Sequence, residues 1–407
     1  MIKSIAGSPV EGEDFFGREE VLKHLWEVLE GQDVLLLGPR RIGKTSVSRR
    51  LCERARENGY RAFEVNVASC EDEAAFVDKL LEAVRENADS LFKVTAADWW
   101  GDISDRLAAV RKITVSAGGA SVSADVGTTN AEQWDKLATD LLRKLAELHG
   151  NWLIYMDELP IFLFRLLEKS NGNTDRVRRF LDWFRNDIRE HVSCKSLHWL
   201  ISGSVGLDTL VQRCRIPDTI NTLNHQQLPP FDRNKEADPF LNQLSISHKL
   251  GLTPELREQI LDDIGWTQPF FIQLVVQQLI RPELRAEADP VRRIRRALDR
   301  VIESGDDNDF HYWETRLEMQ LGKHDADIAK NILTVAAHES GASGIALLNA
   351  VSAQLPESPA EQRSKFIEIR DILLRDAYLG SDESQQQPHY RFRFELLRRW
   401  WLKRNTL

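Results

Sequence analysis

The sequence contains few of the residues that mark several classes of protein. Its four cysteines, among 407 residues, are widely spaced and form no CxxC pair, which argues against a zinc knuckle and suits a reducing compartment. No apolar run approaches the roughly 18 residues that a transmembrane helix needs. The opening residues, MIKSIAGSPVEGED, lack the long apolar core of a secretory signal. We therefore expect a cytoplasmic protein without a membrane segment.

Positive charge is also in the minority. The 54 lysines and arginines face 63 aspartates and glutamates, for a net charge of -9, which disfavours a protein coated with basic charge for nucleic acid. Basic residues are bunched only in RRIRRALDR (292–300) and RFRFELLRRWWLKR (391–404). With 42% hydrophobic and 29% charged residues, the chain is globular and long enough for two or three domains.

Short apolar runs alternate with amphipathic segments in the first half of the chain. Because buried parallel strands are apolar throughout, this alternation predicts a doubly wound α/β core with a parallel sheet. An excursion from the sheet is predicted over residues 73–131, helical at 73–112 and with a β-hairpin at 112–127. The predicted helices are 19–30, 44–58, 132–150 and 175–191, and the predicted strands are 34–37, 60–69, 152–160 and 197–205.

The pattern changes after about residue 230. Residues 236–303 are helical segments interrupted by prolines, and GDDND (305–309) is a polar break. Helices at about 325–338, 343–354 and 359–377, a hairpin at 378–394 and a short last helix describe a winged helix-turn-helix. We therefore expect a P-loop core at 1–235, a helical lid at 236–308 and a winged-helix domain at 309–407.

Residues 38–45, GPRRIGKT, match the pattern G-x-x-x-x-G-K-[ST] between a buried strand and a helix. We call them the phosphate loop. The glycines let successive backbone N–H groups face phosphate oxygens, and the helix adds its positive N-terminal end. Lys44 can reach the β- and γ-phosphates, and the Thr45 hydroxyl can bind Mg²⁺. Arg40 and Arg41 either touch phosphate or are ordinary loop residues. The predicted nucleotide-binding residues here are Gly38, Pro39, Arg40, Arg41, Ile42, Gly43, Lys44, Thr45 and Ser46.

Two later strands end in polar side chains. LIYMDE (153–158) closes on two acids; Asp157 is predicted to support the Mg²⁺ together with Thr45, and Glu158 to activate the attacking water as general base. LHWLISGSV (197–205) ends in Ser202-Gly-Ser204. Ser204 could sense the γ-phosphate or cap the next helix, and both interpretations stay open.

With these motifs together, the chain resembles the archaeal-type ATPases, which belong to the AAA+-related STAND group of signal-transducing NTPases. The resemblance rests on four stretches, namely the double arginine of the phosphate loop, LIYMDELP, WLISGSVGL and LPPFDRNKEADPFL. It implies that FFGREEVLKHL (15–25), with Phe16, Gly17 and Arg18, lies near the adenine, and that Pro269 in GWTQPFFIQLVVQQL lies near the nucleotide. The chain departs from the family just before LPPF, where the family often has an arginine and this chain has none. Which residue, if any, serves as an arginine finger therefore stays open.

Three functions are compatible with these features. The first is an ATP- and Mg²⁺-dependent ATPase that acts as a nucleotide-gated switch for a partner protein or effector, alternating between ATP and ADP. The alternative is a DNA-associated AAA+-like ATPase that loads or targets a partner on DNA. The third, phosphorylation of a small molecule, lacks any recognisable acceptor pocket. The mixed charge of residues 358–376 does not favour DNA contact. The resemblance also implies self-association.

Overall fold

The computed structural model describes residues 2–87, 101–103, 105–106, 134–148, 150–203, 206–303, 308–338, 341–356, 358–382 and 387–405. The chain forms two compact units. The first, here called the sheet unit, comprises Glu19–Leu37 and Lys44–Gln227. The second, the helical unit, comprises Met1–Arg18, Gly38–Gly43 and Leu228–Leu407. The predicted hairpin at 112–127 lies outside the described residues.

The sheet unit contains a five-stranded sheet whose neighbouring strands are all parallel, in the order β2-β3-β4-β1-β5. The strands are β1 Val34–Leu37, β2 Arg61–Asn66, β3 Trp152–Asp157, β4 Leu197–Ser202 and β5 Asn224–Gln227. The helices are α1 Glu19–Leu29, α2 Lys44–Glu57, α3 Glu73–Asn87, α4 Trp134–Ala146, α5 Leu159–Lys169, α6 Asp175–Trp183 and α7 Leu207–Arg213. The predicted parallel-sheet α/β core is thus confirmed.

The position of each strand in the sheet explains its sequence. All six residues of β3 are buried, as expected for a strand paired on both sides and covered on both faces. In contrast, β5 is an edge strand of four polar residues, alternately half-buried and exposed. We did not predict β5, because NHQQ has neither an apolar run nor β-branched residues.

A cluster of aromatic rings packs four helices of the sheet unit together. Phe76 of α3 contacts Phe162 of α5 at 5.5 Å and Phe180 of α6 at 5.0 Å between ring centroids. Trp134 of α4 contacts Trp183 of α6 at 4.9 Å. Burial of each such ring stabilises the fold by about 1.5–3 kcal/mol. The four cysteines are buried free thiols.

The first part of the helical unit contains helices that begin at prolines. Its helices are α8 Asp238–Ser247, α9 Pro254–Ile264, α10 Pro269–Leu279, α11 Pro282–Arg285 and α12 Pro290–Glu303. Proline suits the first helical position because its fixed φ is already helical and its missing N–H has no partner there. The prolines that interrupt the sequence pattern therefore mark helix starts, as at Pro254 and Pro269.

The second part of the helical unit begins with a broken helix. α13 spans Asn308–Ala336 and is interrupted at Gly322, where φ is 74°. Its second half agrees with the predicted helix at 325–338, but the helix before Gly322 was not predicted. Buried Phe310, Trp313 and Leu317 share one face of that missed segment, so the apolar spacing was present.

A small antiparallel sheet follows, in the order β6-β8-β7. The elements are β6 Ala342–Ser343, α14 Gly344–Ser352, α15 Pro359–Arg375, β7 Leu379–Asp382, β8 His389–Phe392 and α16 Glu395–Asn405. These helices and strands lie where we expected a winged helix; that interpretation, and the domain boundaries at 235 and 308, remain predictions. Among the described residues, no helix combines the length and apolar character needed to cross a membrane.

Candidate functional site

The phosphate loop has the backbone that its glycines permit. Gly38 has φ 146° and Gly43 has φ 103°, both in the region that side chains rarely adopt. A Cβ on Gly38 would also lie 3.3 Å from Ile42 Cγ2 and 3.4 Å from the Leu228 carbonyl oxygen. A Cβ on Gly43 would meet nothing within 4 Å. The backbone conformation therefore favours glycine at both positions, and close packing adds to this preference at position 38 only.

Lys44, Thr45 and Ser46 form the first turn of α2, directly after Gly43. The first N–H groups of a helix have no partner inside the helix and carry partial positive charge, so they attract anions. That first turn contains no acidic residue. Pro39 and Ile42 are buried, and the Ile42 N–H donates to the Pro39 carbonyl at 3.4 Å, which closes the loop on itself.

The structure brings Thr45 and Asp157 together. The Thr45 hydroxyl lies 3.3 Å from Asp157 Oδ2, although the two residues are 112 positions apart in the sequence. The strand register contributes to this proximity: Leu36 of β1 pairs with Ser202 of β4, and Ile201 of β4 pairs with Met156 of β3, so β1 and β3 end at the same edge of the sheet. Asp157 therefore lies at the carboxyl edge of the sheet, where ligands of open α/β sheets bind.

Asp157 also accepts two hydrogen bonds on its other carboxylate oxygen. The Ser202 hydroxyl donates to Oδ1 at 2.7 Å, and the backbone N–H of Glu158 donates to the same atom at 3.0 Å. The hydroxyl of Tyr155 is 3.0 Å from that of Ser202. Burial raises the pKa of Tyr155 well above its usual value, and the negative charge of Asp157 adds to the shift, so the phenol stays protonated. Sequence reasoning had overlooked Tyr155.

Glu158 is held in a strained conformation. Its φ of 61° and ψ of 30° are left-handed, and it caps the N-terminus of α5. A non-glycine residue in this region costs about 1–2 kcal/mol. The bend turns the chain out of β3 directly after Asp157, so the half-buried Glu158 follows the strand at the same edge of the sheet. Its role as a general base remains a prediction.

Arg18 links three segments of the helical unit through backbone carbonyls. Its buried guanidinium donates to the carbonyl oxygens of Pro229 at 2.6 Å, Pro230 at 3.2 Å and Ile42 at 3.4 Å. Its carbon Cζ also lies 4.6 Å from the ring centroid of Phe231. Burial lowers the pKa of Arg18 to about 10, against the opposing effect of Glu236. Arg18 thus contacts the phosphate loop directly, which sequence reasoning did not predict.

The neighbours of Arg18 hold the N-terminal segment in place. The ring of Phe16 contacts Phe240 at 5.2 Å and Phe231 at 6.2 Å between centroids. Gly17 has φ 66°, and a Cβ there would lie 3.0 Å from Glu236 Oε1. A role of these residues in adenine binding remains a prediction.

The two loop arginines contact aromatic rings of the helical unit. The Cζ atom of Arg40 lies 3.9 Å from the ring centroid of Tyr312 in α13. The Cζ atom of Arg41 lies 4.6 Å from the ring centroid of Phe270 in α10, and its Nη1 donates to the Gly7 carbonyl at 2.6 Å. Sequence reasoning had not identified these partners. A phosphate contact by either arginine remains a prediction.

The remaining predicted residues are less informative. Pro269 is the first residue of α10, and Ser204 lies outside the described residues. Across the described part of the chain, no three His, Cys, Asp or Glu side chains cluster as a metal site. Mg²⁺ is commonly held by only one or two carboxylates together with substrate phosphates, so a single hydroxyl–carboxylate pair is the relevant donor set.

Comparison with solved structures places the fold among known ones. The chain is similar to the Walker-type ATPase PABY2304 of Pyrococcus abyssi, with a TM-score of 0.61 and 16% identity over 98% of this chain and 99% of that one. It is also similar to Drosophila ORC bound to DNA, with a TM-score of 0.34 and 13% identity over 92% and 91% of the two chains. AMPPCP-bound DnaA from Aquifex aeolicus gives a TM-score of 0.35 and 11% identity over 89% of each chain. No family model and no curated protein matches the sequence. The chain therefore shares the fold of a Walker-type P-loop ATPase over nearly its whole length.

Proposed function

We propose that this chain binds ATP with Mg²⁺ at the phosphate loop, hydrolyses it slowly, and acts as a nucleotide-gated switch for a partner protein or effector. The observation that carries the nucleotide site is the 3.3 Å distance between the Thr45 hydroxyl and Asp157 Oδ2, next to a loop of the required backbone conformation. A hydroxyl and a carboxylate are the donor set that suits Mg²⁺. The fold of a Walker-type ATPase supports the same proposal.

Each residue of the site has a role in this proposal. The loop N–H groups and the Lys44 ammonium bind phosphate oxygens. Thr45 and Asp157 would hold Mg²⁺, which would supply positive charge to neutralise the charge that develops on the phosphates. Glu158 accepts the proton of the attacking water. Products are ADP and phosphate, and Lys44 and Glu158 are the residues on which catalysis depends.

The contacts of the loop arginines support gating. Arg40 lies against Tyr312 of α13 and Arg41 against Phe270 of α10. If a guanidinium leaves its ring to reach a phosphate, occupancy of the loop changes what α10 and α13 contact. A switch requires an equilibrium between two arrangements, here with the arginines on their rings or on phosphate. ATP or ADP must shift that equilibrium. Membership of the AAA+ and STAND groups and self-association belong to this proposal.

Surface charge supports a protein partner over DNA. In a winged helix, α15 is the element expected to read DNA. Its exposed charged side chains comprise one basic residue, Arg363, and three acids, Glu361, Glu368 and Asp371. Two of its other basic groups are paired with acids: Lys365 with Asp325 at 3.0 Å and Arg370 with Asp371 at 2.6 Å. A DNA-reading surface needs unpaired positive charge.

The basic run of α12 is partly offset by nearby acids. Arg292 and Arg296 face Glu287 at 3.6 and 3.2 Å, and Arg300 faces Glu283 at 3.7 Å. These surface pairs contribute little stability, but they reduce the local positive charge available to a phosphate backbone. The DNA-associated alternative therefore receives no support from α15 or from the basic run of α12.

The proposal is tested by titrating ATP into the purified protein by calorimetry, with Mg²⁺ and with EDTA. Lys44→Ala should abolish binding because it removes the ammonium group that binds the β- and γ-phosphates, whereas Lys79→Ala, at a partly exposed lysine of α3 paired with Glu82, should bind as wild type does. Glu158→Gln should retain ATP but hydrolyse it at least about a hundredfold more slowly. Undiminished ATP affinity in Lys44→Ala would refute the site, and unchanged turnover in Glu158→Gln would remove that residue from the mechanism.

A further inference from the structure

The hydroxyl of Tyr155 is a polar group in the most buried strand of the sheet. All six residues of β3 are buried, and Tyr155 itself is fully buried. Burying a hydroxyl without a partner costs free energy, so an unpaired phenol would destabilise this strand. Its hydroxyl is instead 3.0 Å from that of Ser202 on β4. A phenylalanine would fill the same space without this requirement.

The direction of the hydrogen bonds follows from the number of protons. Ser202 donates its single hydroxyl proton to Asp157 Oδ1 at 2.7 Å, and an ionised carboxylate can only accept. With the Ser202 proton on Asp157, the Tyr155 hydroxyl is the donor to Ser202, and the phenol also has hydrogen-bond contacts with the side chains of Thr45 and Asp157. The result is a chain in which Tyr155 donates to Ser202 and Ser202 donates to Asp157.

This chain fixes the orientation of the carboxylate. A carboxylate rotates easily about its last side-chain bond, but two donors on Oδ1, from Ser202 and from the Glu158 N–H, hold that oxygen in place. Oδ2 is then turned towards the Thr45 hydroxyl at 3.3 Å. Without the phenol, the Ser202 hydroxyl has no donor on its far side and gains rotational freedom.

We propose that Tyr155 is a positioning residue for the magnesium site, acting through Ser202 to keep one oxygen of Asp157 facing Thr45. This inference rests on the proposed function, because it assumes that Asp157 and Thr45 hold the metal. Tyr155 touches neither nucleotide nor metal in this role. In this role, Tyr155 determines how much Mg²⁺ increases the affinity of the protein for the nucleotide.

The test is Tyr155→Phe, which keeps the ring and removes only the hydroxyl. ATP affinity is measured by calorimetry over a range of Mg²⁺ concentrations and separately in EDTA. We expect the Mg²⁺ concentration for half-maximal enhancement of ATP affinity to rise roughly tenfold, as for other residues that orient a metal ligand. The affinity in EDTA should not change, because the loop is untouched. Ser202→Ala should give the same shift, and adding Tyr155→Phe to it should add nothing.

Tyr378→Phe is the matched control. Tyr378 is also fully buried, and its hydroxyl donates to the Trp313 carbonyl at 2.7 Å in the helical unit. It should lose a similar amount of thermal stability with no change in the Mg²⁺ requirement. An unchanged requirement in Tyr155→Phe, or an equal shift in Tyr378→Phe, would overturn the role of Tyr155 while leaving the proposed function intact. If wild-type protein bound ATP equally with Mg²⁺ and with EDTA, both proposals would fail.

Discussion

The contact between Arg40 and Tyr312 gives the most direct test of gating. Both side chains are half-buried, and the guanidinium carbon lies 3.9 Å from the ring centroid. A cation–π contact is worth about 0.5–1 kcal/mol when exposed and about 2 kcal/mol when desolvated, so we assign about 1 kcal/mol to this half-buried pair. If Arg40 leaves the ring to contact phosphate, ATP binding must offset that cost.

Tyr312→Leu removes the ring, so ATP binding no longer has to offset the loss of the cation–π contact. Since 1.4 kcal/mol corresponds to a factor of ten, about 1 kcal/mol predicts ATP binding roughly fivefold tighter than in wild type. The measurement is calorimetric titration of Mg²⁺-ATP. Tyr312→Phe, which keeps a ring under the guanidinium, should bind ATP nearly as wild type does.

A double mutant separates this mechanism from a general loosening of α13. In an Arg40→Ala background, Tyr312→Leu should no longer tighten ATP binding, because the contact that it removes is already absent. The reasoning is refuted if Tyr312→Leu leaves the affinity unchanged or weakens it. It is equally refuted if the tightening persists without Arg40, since the ring would then act through some other contact.

Two further predictions concern the surface charge and the backbone of the helical unit. Fluorescence anisotropy with duplex DNA at low salt should detect no binding; an affinity that falls steeply as salt rises would restore the DNA-associated alternative. Gly265→Ala should lower the free energy of unfolding by about 3 kcal/mol, because Gly265 has φ 79° and a Cβ there would lie 2.9 Å from the Glu395 amide nitrogen. Gly251→Ala, at φ 65° with nothing within 4 Å, should cost only about 1 kcal/mol, and equal urea midpoints for the two variants would contradict this account.

The sequence was sufficient for the elements that bury apolar surface. Strands β1, β3 and β4 were predictable because a strand covered on both faces has an apolar run, and the edge strand β2 because its residues alternate and include β-branched ones. Helices α9 to α12 were predictable because proline marks their first residue. The edge strand β5 was missed because it needs only the hydrogen bonds of β1 on one side and tolerates polar residues. The helix before Gly322 was missed although its apolar spacing was present, so that omission was avoidable.

Long-range polar partners were not predictable. The phosphate loop itself is a local pattern, whereas Arg18 binds carbonyls of residues 24 to 212 positions away. A backbone carbonyl gives no sequence signal, because every residue has one. The rings under Arg40 and Arg41 were equally hidden, since Tyr312 and Phe270 read as ordinary members of amphipathic helices.

The proximity of the Tyr155, Asp157 and Ser202 side chains depends on the register between β3 and β4. Residues 155 and 157 share one face of β3 because side chains alternate along a strand. Tyr155 pairs with Leu200 and Met156 with Ile201, so the next residue of β4, Ser202, lies beside Asp157. A shift of one residue would turn the Ser202 hydroxyl to the other face of the sheet. The apolar residues that fix this register, such as the fully buried Trp199, therefore also determine the proposed metal site, and a substitution that loosens the pairing should weaken Mg²⁺ binding before it unfolds the sheet.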